Sequence, residues 1–132
     1  YCAFILYTYS DFMNIVTNLT RVTFFFYLFY IYYSYVRPVP EASIVIDMAG
    51  VITDYGIHFI VFFVLGVLAQ LSNNKSNNFI FGVSLALITS VFIEFIHFIL
   101  PFRDFVIMEG FANIVGCVLG IYLINYIRSK YV

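Results

Sequence analysis

The chain has 132 residues, of which 64% are hydrophobic and only 10% are charged. Its mean hydropathy of +1.01 and its 17 Phe and 12 Tyr exceed what a soluble core of this size can bury. The formal net charge of −1 leaves no basic surface for nucleic acid, so the composition predicts an integral membrane protein without a nucleic-acid partner.

The first 40 residues divide into two parts. Residues 1–20 begin with the apolar run YCAFILYTY, which is too short to cross a bilayer. This segment is either the end of a longer apolar stretch or, as we expect, a helix lying in the membrane interface. The first membrane span is predicted from Arg21 to Val36, because Pro38 and Pro40 prevent the helix from continuing.

Three more stretches have the length and apolar composition of a membrane span, which takes about 20 residues. They are Asp54–Leu71, Phe79–Leu100 and Glu109–Ile127. The polar run SNNKSNN separates the second stretch from the third, and a proline follows the third. Because the connections are short, we expect an all-α polytopic membrane protein, with residues 21–132 forming one compact bundle of four transmembrane helices.

The distribution of Lys and Arg predicts the orientation of the bundle, because these residues favour the cytoplasmic side. One side collects Arg21, Lys75, Arg128 and Lys130, whereas the other collects Arg37 and Arg103. We therefore expect both termini in the cytoplasm, with the connection between the third and fourth spans on the outer side.

Polar side chains recur at helical spacing near the outer ends of the second, third and fourth spans. Asp54 and His58 are four residues apart, and Glu94 and His97 are three apart. A carboxylate that faces lipid costs roughly 2.5 kcal/mol or more, so these groups should turn inward and meet. We define the polar cluster by the residues expected there: Asp54, His58, Glu94, His97, Arg103, Glu109 and Asn113. Arg103 is the expected counter-ion of Glu94 or Glu109.

Small residues mark one face of the fourth span. Gly116 and Gly120 form a GxxxG pattern, which lets a neighbouring helix approach closely. Asn113 lies on the same face, so we expect this face to lie inside the bundle and to serve helix packing, with dimerisation as the alternative.

Three interpretations of the polar cluster are open at the level of sequence. The cluster can be a hydrogen-bonded plug that orders the bundle, a binding site for a polar or ionic head group, or a metal site. Glu94-x-x-His97 has the spacing of carboxylate-bridged metal proteins, although such proteins carry it on two helices and it occurs once here. The predicted metal ligands are His58, Glu94 and His97, with Asp54 as a further candidate. No other cofactor is predicted.

The spacing of these residues resembles that of VanZ-like membrane proteins. Asp54-Tyr-Gly-Ile-His58-Phe59 followed by Leu65-Gly66 is similar to the start of the family's second helix. Glu94-x-x-His97-x-x-x-Pro101-x-Arg103, then Glu109-x-x-x-Asn113-x-x-Gly116-x-x-x-Gly120, looks like the family's second half, and Ser34 and Pro38 fit the end of its first helix. The resemblance covers about residues 21 to 128.

The chain departs from the family pattern at three positions. Tyr55 replaces the usual Lys, His97 the usual Gln, and Glu109 the usual Asp. The resemblance implies a fold, a topology and a bacterial cytoplasmic membrane, but no reaction. The family's named member is associated with low-level resistance to teicoplanin, and most relatives have no established biochemical activity.

Three functions are compatible with the sequence. We expect the polar cluster to bind or shield an envelope-lipid head group or another polar group. The alternatives are a structural accessory subunit of a larger membrane complex and a metal-dependent membrane enzyme. Motifs for nucleophilic catalysis, phosphate binding or dinucleotide binding are missing from the sequence, which favours the non-enzymatic functions.

Overall fold

A computed structural model describes residues 2–38, 48–73, 79–102 and 105–131. These residues form four α-helices: α1 (Cys2–Val36), α2 (Met48–Leu71), α3 (Phe79–Ile99) and α4 (Ile107–Tyr131). Each of the four contains a stretch long and apolar enough to cross a membrane. The structure therefore confirms the predicted all-α fold with four transmembrane helices.

Helix α1 is longer than the span predicted for it. It begins at Cys2 instead of Arg21 and runs without a break to Val36. The helix contains neither Gly nor Pro, so its sequence gives no point at which the helix would end early. At 1.5 Å per residue its 35 residues extend about 52 Å, whereas the apolar core of a bilayer is about 30 Å thick. The interfacial location of residues 1–20 stays a prediction.

Proline residues explain where two of the helices end. Helix α1 ends at Val36, two positions before Pro38, and α3 ends at Ile99, two positions before Pro101. The residue that precedes a proline is pushed out of the helical region, which explains why each helix ends where it does.

Helices α2 and α4 form the most extensive contact in the bundle. A Cβ atom on Gly116 would collide with the backbone carbonyl of Phe59, and one on Gly120 with that of Phe63. The approach is reciprocal, because a Cβ atom on Gly66 of α2 would collide with the carbonyl of a residue on α4. Gly116 and Gly120 thus pack within the chain, and Gly66 is a packing position that was not predicted from the sequence.

The helices bury a small apolar core along the middle of the bundle. Ile31, Phe62, Leu65, Ile93 and Ile121 come from all four helices, and each is almost fully buried. The outward faces of the helices are strongly apolar as well, as expected of surfaces that meet lipid.

The two ends of the bundle carry different polar contacts. At one end Arg21 Nε donates to the Ser72 carbonyl at 3.1 Å and Arg128 Nη1 donates to the Asn73 carbonyl at 3.1 Å. The opposite end, where α1 and α3 end and α4 begins, carries the polar cluster and is called the cluster end below.

A second buried polar contact lies in the half of the bundle away from the cluster end. Gln70 Nε2 donates to Asn125 Oδ1 at 2.6 Å, and the Gln70 side chain is almost fully buried. This pair was not predicted from the sequence. It links α2 to α4 and satisfies an amide that would otherwise be costly in the apolar interior.

Candidate functional site in the polar cluster

The structure brings most of the predicted polar cluster together between α2, α3 and α4. Four members are nearly inaccessible, with exposed fractions of 6% for His58, 6% for Glu94, 2% for His97 and 0% for Asn113. Glu109 is partly buried and Asp54 is exposed. Arg103, the predicted counter-ion, lies outside the described residues, so its pairing stays a prediction.

His58 connects α2 to two residues of α4. Its Nδ1 lies 3.1 Å from Asn113 Oδ1, and because an amide oxygen only accepts, the imidazole donates from Nδ1. The other ring nitrogen, Nε2, lies 3.4 Å from Glu109 Oε2. Asp54, one turn before His58, lies beside the same carboxylate.

His97 has the same arrangement on α3. Its Nε2 donates to the Tyr35 backbone carbonyl at 3.2 Å. That carbonyl belongs to the last turn of α1, where backbone acceptors have no partner within the helix. The other ring nitrogen, Nδ1, faces Glu94 Oε2 at 4.0 Å.

Among the described members of the polar cluster, Glu94 is the least satisfied. Both carboxylate oxygens are buried, and neither accepts a hydrogen bond within the part of the chain that the structure describes. The backbone N–H of Val106 points toward this carboxylate.

Gly110 makes room for the Glu94 side chain. A Cβ atom on Gly110 would lie 3.3 Å from Glu94 Cγ, so a larger residue would press on the stem of this side chain. Ser90 Oγ donates to the Gly110 carbonyl at 3.2 Å and joins α3 to α4 at the same depth.

Glu109 lies close to both histidines. Two groups of side chains have their nitrogen and oxygen ligand atoms all within 4.8 Å of one another. One group is Asp54, His58 and Glu109, and the other is Glu94, His97 and Glu109. This grouping differs from the predicted metal ligands, because each histidine is grouped with the carboxylate of its own helix. Glu109 was predicted in the polar cluster but not as a metal ligand.

Tyr35 is a member of this site that sequence reasoning missed. Its ring lies edge-on to the His58 ring at 4.8 Å and is stacked against the His97 ring at 6.0 Å. Its hydroxyl is buried and has no hydrogen-bond partner among the described residues. The feature of the sequence that could have identified Tyr35 was its position in the last turn of α1, at the same end as the polar cluster.

Comparison with protein-family models, with curated proteins and with solved structures found no match to this chain. The resemblance to VanZ-like proteins therefore stays a prediction that rests on the spacing of residues. The chemistry of the polar cluster is the basis on which a function can be assigned.

Proposed function

We propose that this chain is a metal-binding integral membrane protein, in which the polar cluster holds a divalent cation at the cluster end. The observation that carries the proposal is the Glu94 carboxylate, which is buried, accepts no hydrogen bond from a side chain among the described residues and faces the imidazole of His97. A carboxylate in an apolar interior needs donors or a positive charge, since its burial otherwise costs several kcal/mol. A bound cation supplies that charge.

The orientation of the two imidazoles supports the same proposal. Metal-binding histidines almost always donate their second N–H to a carbonyl, a carboxylate or water, which fixes the tautomer and directs the other nitrogen at the metal. His58 donates to Asn113 Oδ1 and His97 donates to the Tyr35 carbonyl. Both rings therefore direct the remaining nitrogen toward a carboxylate.

The distances fit an ion with little movement of the side chains. Two ligands that each lie about 2.1 Å from a tetrahedral ion are about 3.4 Å apart. His58 Nε2 and Glu109 Oε2 are separated by 3.4 Å, and His97 Nδ1 and Glu94 Oε2 by 4.0 Å. Imidazole and carboxylate ligands favour zinc, manganese or ferrous iron over calcium and magnesium.

An envelope-lipid head group is the competing occupant. The ligand atoms of each group lie within 4.8 Å of one another, which suits one ion better than a phosphodiester. The partial exposure of Glu109 and the exposure of Asp54 favour a head group only at the edge of the polar cluster. We therefore place head-group binding second.

A separate observation favours a role as an accessory subunit. Helix α1 exposes aromatic side chains in its membrane-spanning part, among them Phe29, Tyr30 and Tyr33, with exposed fractions of 72%, 58% and 60%. Tyrosine hydroxyls on a lipid-facing surface favour the interface or a protein partner. If a partner subunit covers this face, native mass spectrometry of gently solubilised membranes will show the chain in a hetero-complex. A chain found only as a free monomer would count against the role.

Metal analysis of the purified protein tests the proposal. We expect the wild type to retain a stoichiometric transition metal through purification in detergent, and Glu94→Gln to lower the metal content per chain. Gln70→Met is the matched control, because Gln70 is also buried but lies in the other half of the bundle. It should keep the wild-type content.

Two results would overturn metal binding. One is a wild type without stoichiometric metal even after incubation with zinc or manganese salts. The other is a folded Glu94→Gln variant that keeps the full wild-type content. Loss of a co-purified lipid from Glu94→Gln, with no metal in the wild type, would support the head-group function instead.

A further inference from the structure

We infer that the polar cluster is built for two divalent cations bridged by the Glu109 carboxylate. This inference rests on the proposed metal-binding function and specifies its stoichiometry. Glu109 belongs to both groups of candidate ligands, and each group has one imidazole and one carboxylate of its own.

Each of the two ions would have its own half-site, which is a carboxylate and an imidazole from one helix. The two half-sites have matching compositions on different helices. Helix α2 supplies Asp54 and His58 at i,i+4, and α3 supplies Glu94 and His97 at i,i+3. Both spacings place a carboxylate and an imidazole on one helix face. Glu109 stands in the first turn of α4, between the two pairs. The spacing of three occurs once, on α3, and the pair on α2 that was named from the sequence has a spacing of four.

The number of ligands suits two ions. The two groups together hold three carboxylates, Asp54, Glu94 and Glu109, and two imidazoles, His58 and His97. Each ion would then have one imidazole, one carboxylate of its own and one oxygen of Glu109.

The two half-sites differ in access to water. Asp54 is exposed, Glu109 is partly buried, and Glu94 and His97 are buried. The ion held by Asp54 and His58 is therefore the outer ion, with water to complete its coordination. The ion held by Glu94 and His97 is the inner ion and should exchange more slowly. A chelator should remove the outer ion first, so metal loss should proceed in two phases.

Manganese is a suitable probe because carboxylate-rich sites accept it and because two bridged Mn²⁺ ions couple magnetically. We expect the metal-free protein in detergent to bind two equivalents of Mn²⁺. The bound ions should give the broadened electron paramagnetic resonance spectrum of a coupled pair. This readout needs no variant.

Variants then show which residues hold each of the two Mn²⁺ ions. Asp54→Asn and Glu94→Gln should each bind one equivalent with an uncoupled spectrum, and Glu109→Ala should lose both. Gln70→Met should bind two, as the wild type does. Helical content by circular dichroism and elution volume identify any variant that fails to fold.

The outcomes separate this inference from the proposed function. One equivalent in the wild type would overturn the bridged pair and leave single-ion binding intact. Two equivalents with an uncoupled spectrum would also overturn the bridge, as would a folded Glu109→Ala variant that keeps one equivalent. No binding at all would overturn both the pair and the proposed function.

Discussion

At the scale of single residues, the two histidines are held by different kinds of acceptor. His97 donates to a backbone carbonyl, that of Tyr35, which mutation leaves in place. His58 donates to a side chain, that of Asn113, whose exposed fraction is 0%. A substitution of Asn113 can therefore remove the hydrogen bond that orients His58, whereas no substitution removes the acceptor of His97.

Asn113→Leu should weaken metal binding without removing a ligand. Loss of a hydrogen bond that orients a metal-binding histidine typically lowers affinity about 10–100-fold. We expect a decrease of that size in the affinity for Mn²⁺, measured by titration of the metal-free protein. Thr89→Val is the control, because Thr89 is as buried as Asn113 and its hydroxyl has no hydrogen-bond partner among the described residues. An unchanged affinity in Asn113→Leu would contradict the orienting role.

Metal binding should weaken as the pH falls. A metal-bound imidazole must be deprotonated, so protons compete with the cation for its nitrogen. We expect the affinity for Zn²⁺ to fall as the solution is acidified, measured at constant ionic strength. An affinity that stays unchanged on acidification would indicate that the two histidines are not ligands.

At the scale of helices, the contact between α2 and α4 decides where the polar cluster forms. The glycines on both helices let the backbones approach closely, and this approach brings His58 of α2 within reach of Glu109 and Asn113 of α4. The packing face and the polar face of α4 are continuous, since Asn113, Gly116 and Gly120 are separated by three and four residues.

Gly116→Ala should destabilise the bundle. Its Cβ atom would collide with the backbone carbonyl of Phe59, and overpacking of this kind typically costs about 1–3 kcal/mol. Gly56→Ala on α2 is the matched control, because nothing lies within 4 Å of a Cβ atom there. It should be neutral or stabilise the helix by about 0.5–1 kcal/mol.

Thermal unfolding in detergent, followed by circular dichroism, compares the two variants under identical conditions. The expected result is a lower midpoint for Gly116→Ala and an unchanged or higher midpoint for Gly56→Ala. Equal midpoints would show that the α2–α4 contact tolerates an extra methyl group and is looser than described.

At the scale of the whole molecule, the orientation in the membrane is a prediction from charge. The described residues put Phe102 at the cluster end and Ser129 near the other end, and both side chains are exposed. In a background with Cys2 and Cys117 replaced by Ala, we expect Phe102→Cys to react with a membrane-impermeant thiol reagent added outside intact cells. Ser129→Cys should react only after permeabilisation. The reverse pattern would place the polar cluster on the cytoplasmic side.

The spacing of polar residues predicted much of the site. Asp54 with His58 and Glu94 with His97 share helix faces whatever the neighbours are, because helical periodicity alone places them so. The position of Glu109 beside both pairs was not predictable in the same way, since it depends on how α4 is rotated against both α2 and α3. Tyr35 was missed for a related reason: its part in the site comes from packing between two rings and from a backbone carbonyl.

Helix lengths were also predicted only where the sequence acts locally. Prolines predicted where α1 and α3 end, because a proline acts locally on the residue before it. The start of α1 at Cys2 was missed, since hydropathy indicates which residues favour lipid and not how far a helix extends beyond it.

The measurement that tests metal binding most directly is anomalous X-ray diffraction from crystals of the manganese-loaded protein, recorded above the metal absorption edge. The proposal predicts anomalous density between His97 Nδ1 and a Glu94 carboxylate oxygen, within coordination distance of both, with a second peak beside His58 Nε2 if the bridged pair is present. Anomalous density only at the surface, with none between α2, α3 and α4, would contradict the proposal that this bundle holds a metal ion.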